Sequence, residues 1–277
     1  MKKNATGRAS MGITRSLAIM LRQYYLIRGN LSRFIPLFLW VAIDMVLWGF
    51  LSRYLNTVTR TGMDFVPRLL GAVLLWDFLT RVMQGVTIAF LEDVWSRNFL
   101  NIFATPLSVS EYVGGLVMTS VITSLVGLTV MLILATTVFG LPFLSFGLAA
   151  VPFLAILFLS GIALGVFGAA IVLRLGPASE WFIWPIPALA APFAGVFYPV
   201  ATLPAWMRVI SRGLPPSYVF EGMRTSLASG SVSLPTLALG TVLALLYLAL
   251  AFGFFKRTYR YAIRTGLIAR YSAESVA

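Results

Sequence analysis

The chain has no histidine and no cysteine among its 277 residues. Without them there is no thiolate, disulfide, iron–sulfur cluster, haem histidine or zinc-finger site, and no Ser-His-Asp or Cys-His catalysis. Charge is scarce too. Asp, Glu, Lys and Arg make up 11% of the residues, about half the share of an average soluble domain. Lysine occurs only at Lys2, Lys3 and Lys256, and none of these follows a glycine. A standard ATP-binding loop, which needs Gly-Lys-Ser/Thr, is therefore excluded. What is present is apolar: 59% of residues are hydrophobic and the mean hydropathy is +0.91. That exceeds what one soluble core can hide, and it excludes an ordinary cytosolic enzyme or a disordered scaffold.

A crossing of about 30 Å of hydrocarbon takes about 20 apolar residues. Such runs are expected at about 34–51, 69–91, 112–139, 143–173, 181–198 and 234–255. The stretch Tyr112–Leu173 carries no charge over 62 residues, which suits two crossings rather than one. Gly140-Leu141-Pro142 divides it, since Gly and Pro together favour a turn. Six spans put both termini on one side. That side carries fourteen Lys and Arg residues, including Lys2, Lys3, Arg8, Arg33, Arg97, Arg174 and Arg270. The opposite loops carry six: Arg53, Arg60, Arg68, Arg208, Arg212 and Arg224. The positive-inside rule then places both termini in the cytoplasm. The expectation is an all-α integral membrane protein. Residues 1–33 form a cytoplasmic tail, 34–255 the transmembrane domain and 256–277 a basic cytoplasmic tail.

Arg recurs through residue 33 where a secretory signal would need its apolar core. Arg8, Arg15 and Arg22 share one helical face, and Ile13, Leu17, Met20, Tyr24 and Ile27 line another. Such a helix lies in the membrane interface.

Two segments break the pattern of plain connectors. Residues 92–110 read EDVWSRNFLNIFATPLSVS, a cytoplasmic loop with an acidic start and an apolar face. A short helix is expected from Glu92 to about Ala104, with Ser108 or Ser110 capping the next span. It either packs on its own bundle or docks another protein. The second segment, Trp181–Pro216, holds seven of the fourteen prolines. Prolines inside helices kink them, and such backbone survives at membrane depth only where protein buries it or it lines a cavity. Two short helices, Pro204–Arg212 and Ser217–Leu227, are expected to dip into the outer leaflet.

These features resemble the ABC-2 family of ABC-transporter permeases, the membrane subunits of bacterial exporters of the type V architecture. The resemblance rests on the order of basic amphipathic N-terminus, six spans and basic C-terminus. It rests also on Phe103-Ala104-Thr105-Pro106-Leu107-Ser108 before Glu111 and Gly114-Gly115. A third motif runs from Tyr198-Pro199-Val200 through Leu203-Pro204 to Leu214-Pro215-Pro216-Ser217-Tyr218-Val219-Phe220-Glu221-Gly222-Met223-Arg224. The resemblance implies that the 2–3 segment is a coupling helix docking on a separate ATPase. Its residues would be Glu92, Asp93, Trp95, Arg97, Phe99, Leu100 and Phe103. It implies an outer re-entrant gate at Tyr198, Pro199, Pro204, Pro215, Pro216, Tyr218 and Glu221. It also implies two permeases working with two ATPases in the bacterial inner membrane. This chain itself would hold no cofactor or metal, because ATP and Mg would sit on the partner.

Asp44, Asp77 and Arg81 fall inside expected spans, where each charge costs roughly 2.5–3.5 kcal/mol. Asp77 and Arg81 are four apart and can pair, and Arg81 is the candidate partner for Asp44. They form either an internal salt bridge or a polar point on a substrate path. Gly161, Gly165 and Gly168 let a neighbouring helix approach, by default within the subunit and otherwise at a dimer seam. The tail from Lys256 to Tyr271 suits anionic lipid headgroups rather than nucleic acid. The function expected is a non-catalytic permease subunit of an ATP-driven exporter, homodimeric, moving an amphipathic or lipid-like substrate. One rival is a proton-coupled carrier using Asp44 and Asp77. The other is a lipid-modifying enzyme, for which only Glu92-Asp93 cluster, without the spacing of a metal site.

Overall fold

The computed structural model describes residues 2–31, 35–59, 64–141, 143, 150–229 and 233–267, with side chains throughout except at 2–11, 36, 37, 100, 228 and 229. Arg33, Phe34, Arg60, Pro142, Arg270 and residues 144–149 lie outside the described residues, as do the side chains of Lys2, Lys3, Arg8 and Leu100. In chain order the helices are α1 (Lys2–Arg28), α2 (Pro36–Val58), α3 (Gly71–Trp95), α4 (Phe99–Phe103), α5 (Val109–Thr137), α6 (Ala150–Leu175), α7 (Pro185–Ala194), α8 (Ala205–Gly213), α9 (Pro215–Ser229) and α10 (Leu234–Arg264). A turn of π-helix at Val66–Leu70 leads into α3, and 3₁₀ turns occupy Pro177–Phe182 and Val200–Thr202. No strand occurs among the described residues.

Five of these segments are long and apolar enough to cross a membrane: Phe38–Val58, Val66–Trp95, Val109–Thr137, Ala150–Leu175 and Leu234–Arg264. They correspond to five of the six expected spans. The remaining one, 181–198, is not a single helix. It is divided into the 3₁₀ turn at Pro177–Phe182 and the ten-residue α7. The cause is local. Pro185 and Pro187 in the first turn of α7 bring no amide hydrogen, so they can begin a helix but not continue one. Gly195, at φ +63°, then ends it in the left-handed region that a side chain disfavours.

Most of the expected proline kinks are helix beginnings instead. Pro204 precedes α8, Pro215 and Pro216 open α9, and Pro199 precedes a 3₁₀ turn. Among the seven, only Pro192 sits in a helix interior.

Helix α3 is the hub. It runs antiparallel to α5, with Asp93 beside Tyr112, Gly85 beside Ser120 and Arg81 beside Gly127. It runs parallel to α6, with Phe78 against Phe158, Val82 against Gly161 and Val86 against Gly165. The glycines make that approach possible. A Cβ at Gly161 would lie 2.7 Å from Val82 Cβ, and one at Gly165 would lie 2.7 Å from the Met83 carbonyl oxygen. Gly168 meets Ile183 in the same way. All three expected small-residue positions thus pack within the subunit.

Helices α6 and α10 also lie parallel. Gly240 is level with Ile156, Phe254 with Phe167 and Tyr261 with Arg174. Two parallel helices that follow one another need a return path between them. Here it climbs through residues 177–203: Trp95 donates to Glu180 at one end, and Phe197 stacks on Trp48 farther along.

Candidate functional site

The α3 face turned away from α6 borders a cavity of about 710 Å³. The residues α3 contributes follow one helical stripe: Asp77, Thr80, Arg81, Gln84, Gly85, Ile88, Ala89, Glu92 and Trp95. Their spacing has the period of one helical face. Opposite them stand Trp40 and Asp44 of α2 and Thr119 and Thr123 of α5. Gln23 and Ile27 of α1 close one end, and Trp184 approaches from before α7. The three intramembrane charges predicted from sequence therefore meet in one cavity, where Asp44, Asp77 and Arg81 act electrostatically on one another. The buried Oδ2 of Asp77 has no hydrogen-bond partner among the described residues. Sequence reasoning missed Gln84, Thr80, Trp40 and Trp184. The first two were visible as the helical period from Asp77; the tryptophans meet only through tertiary packing.

A second construction ties α1 to the end of α3 and the start of α5. Asp93 is fully buried and does not line the cavity. Its Oδ1 accepts from Arg22 of α1 at 2.5 Å, and its Oδ2 accepts from the Tyr112 hydroxyl of α5 at 2.8 Å. Beside it, Ser108 and Glu111 form a reciprocal cap on α5, with the Ser108 N–H donating to Glu111 Oε2 at 2.7 Å. Of the two serines proposed as caps, Ser108 fills the role. Glu111 also pairs with Arg15 at 3.4 Å, and its carbonyl accepts from the Ser16 hydroxyl at 2.9 Å. Arg15 and Arg22 of the basic face of α1 are thus paired with two acids of the bundle. Ile13, Leu17, Leu21 and Tyr24 are left exposed on its outer side.

The coupling segment differs from the helix expected at Glu92–Ala104. α3 runs on through Trp95, so Glu92 and Asp93 belong to its last turn and do not start a new helix. The chain turns at Arg97, which has φ +54°, and the short helix is only α4, Phe99–Phe103. Phe99 is buried and packs on Phe90 and Tyr112, while Phe103 packs on Tyr112 and Tyr259. Trp95, Arg97 and Asn101 face outward. Of the residues expected to meet a partner, Asp93 and Phe99 are therefore internal, Glu92 and Trp95 line the cavity, and Arg97 and part of Trp95 are accessible.

At the opposite end, Glu221 and Arg224 of α9 hold the turn that follows α7. Glu221 Oε1 accepts from the Val200 N–H at 2.7 Å and pairs with Arg224 at 3.0 Å. Arg224 donates to the Gly195 carbonyl and, at 2.8 Å, to that of Val196. Burial lowers the Arg224 pKa from its ordinary value, and the Glu221 carboxylate opposes that shift. The Tyr198 hydroxyl donates to Pro192 and that of Tyr218 to Arg212. Of the expected gate residues, Tyr198, Tyr218 and Glu221 thus brace the turns around α7–α9, and Trp206 is exposed on α8. Arg53 sits at this end too, donating to the Val138 carbonyl and lying 5.1 Å from the Phe139 ring centre.

Residues 13–228 match the model of the ABC-2 type transporter family. No curated protein matches the chain.

Proposed function

The chain belongs to the ABC-2 type transporter family, and on that premise we propose that it is the membrane half of an exporter driven by a separate ATPase. As a member of that family it is a multi-pass permease subunit of an ABC transporter. The finer reading is that two copies form the path, each served by an ATPase at the cytoplasmic end. The cargo is amphipathic or lipid-like and leaves the cytoplasm or inner leaflet. The observation that carries the coupling role is the seating of α4. Its inner aromatics are wedged among α3, α5 and α10, while Arg97 and Asn101 face outward. A push on such a segment moves the helix ends as one packed body, because close-packed interiors transmit strain.

A cytoplasmic position for that end is supported by its basic side chains. Arg15, Arg22, Arg97, Arg174 and the end of α10 all lie there. Six crossings follow if the broken segment 177–203 makes the return between α6 and α10. The outer gate would then be the α8–α9 assembly held by Glu221 and Arg224.

Co-expression with ABC ATPases from the same genome, followed by purification, tests the reading. An ATPase is expected to co-elute, and Asn101→Trp is expected to weaken that association while the permease still purifies as a single species. Transport by the chain alone on a proton gradient would defeat the ATP-driven reading and favour the carrier built on Asp44 and Asp77.

A further inference from the structure

We propose that the cavity beside α3 binds organic cations that carry a hydrophobic body. This deepens the permease reading and rests on it for the step of transport, but the binding itself does not depend on any partner. Among the described residues, four ionisable side chains line the cavity: Asp44, Asp77 and Glu92, with Arg81 as the cation. Its remaining polar side chains are neutral amides, hydroxyls and indoles. With Glu92 left out of the balance, Asp44 and Asp77 still outnumber the one guanidinium they act on, and low surrounding dielectric strengthens the attraction of their side of the cavity for a cation. Inside a membrane such a balance is costly to maintain, and residues that create it mark ligand paths.

The buried Oδ2 of Asp77 adds an acceptor without a hydrogen-bond partner among the described residues. Native interiors seldom leave such an atom unsatisfied. The hydrophobic requirement comes from the walls. Trp40, Trp95 and Trp184 line the cavity together with Ile27 and Ile88. Indole faces attract cations as well as apolar groups. The volume, about 710 Å³, falls in the range of drug-sized ligand sites. Asp77 and Glu92 stand about 22 Å apart along α3 at 1.5 Å per residue, so the site is long and has a carboxylate toward each end.

The test is equilibrium binding to the full chain purified in detergent, with tetraphenylphosphonium and tetraphenylborate as probes of equal shape and opposite charge. Saturable binding of the phosphonium is expected at least about tenfold tighter than any of the borate. Asp77→Asn is expected to weaken phosphonium binding about tenfold. Arg81→Gln is expected to strengthen it, a gain that misfolding cannot produce. Equal binding of both probes, a preference for the borate, or affinities unmoved by both substitutions would overturn the proposal. So would a co-purified phospholipid that fills the cavity and blocks both ions. If cation binding fails while an ATPase still co-elutes, the cargo class falls and the permease reading stands. If cation binding holds but no ATPase associates, the reverse is true.

Discussion

Toward α6, the helix α3 presents Leu79, Val82, Met83 and Val86 to bare glycines, with no room for a Cβ between them. Toward α2, the same helix presents Asp77, Thr80, Arg81 and Gln84 to open space. The contrast is sharpest at its last turn. Glu92 and Asp93 are neighbours in sequence, but successive residues on a helix point about 100° apart. Glu92 lines the cavity; Asp93 is sealed among α1, α3 and α5. One side of the helix fixes the bundle, and the other is left available for a ligand.

The largest effect expected of that contrast comes from Arg22→Ala. It strands the fully buried Asp93 carboxylate with only Tyr112 as partner, a loss of about 3–5 kcal/mol. Thermal unfolding of the purified chain measures it. Asp93→Asn is expected to cost less, because Arg22 is 28% exposed and can turn to water. If Asp93→Asn proves the more damaging, the ionic tie is not what secures α1. Next comes Gly165→Ala on the packed side. Its Cβ would meet the Met83 carbonyl at 2.7 Å and Val86 Cβ at 2.8 Å, at a cost of about 1–3 kcal/mol in the same assay. The smallest effect belongs to Gln84→Ala on the cavity side. Its stability should stay within about 0.5 kcal/mol of the parent. A large destabilisation there would show that the cavity face holds the bundle together after all, and the contrast would collapse.

The sequence made the long helices legible because length and apolar character alone identify a crossing. Ser108 and Glu111 could be read as a cap because the spacing of serine and glutamate states the hydrogen bonds it makes. The 181–198 segment reads as one span kinked by prolines, and hydropathy does not show that Pro185 and Pro187 begin a new helix inside it. Their missing amide hydrogens are what divide it. Glu92 and Asp93 were read together as the acidic start of a coupling helix, since nothing local shows that α3 continues past them. The meeting of Asp44 with Asp77 and Arg81 was anticipated from charge alone. That Trp40 and Trp184 join them depends on how α2 and the segment before α7 are set against α3, which no local pattern encodes.

The arginine that holds the end of α7 bears on how the chain is made. A ten-residue helix rises about 15 Å, half the hydrocarbon thickness, and a segment that short does not insert on its own. The carbonyls of Gly195 and Val196 just beyond it are satisfied by Arg224, which leaves the ribosome later by 29 and 28 residues respectively. During synthesis, α7 therefore waits. The turn that ends it is closed only once α9 has followed, so this part of the chain is completed from its later end backwards.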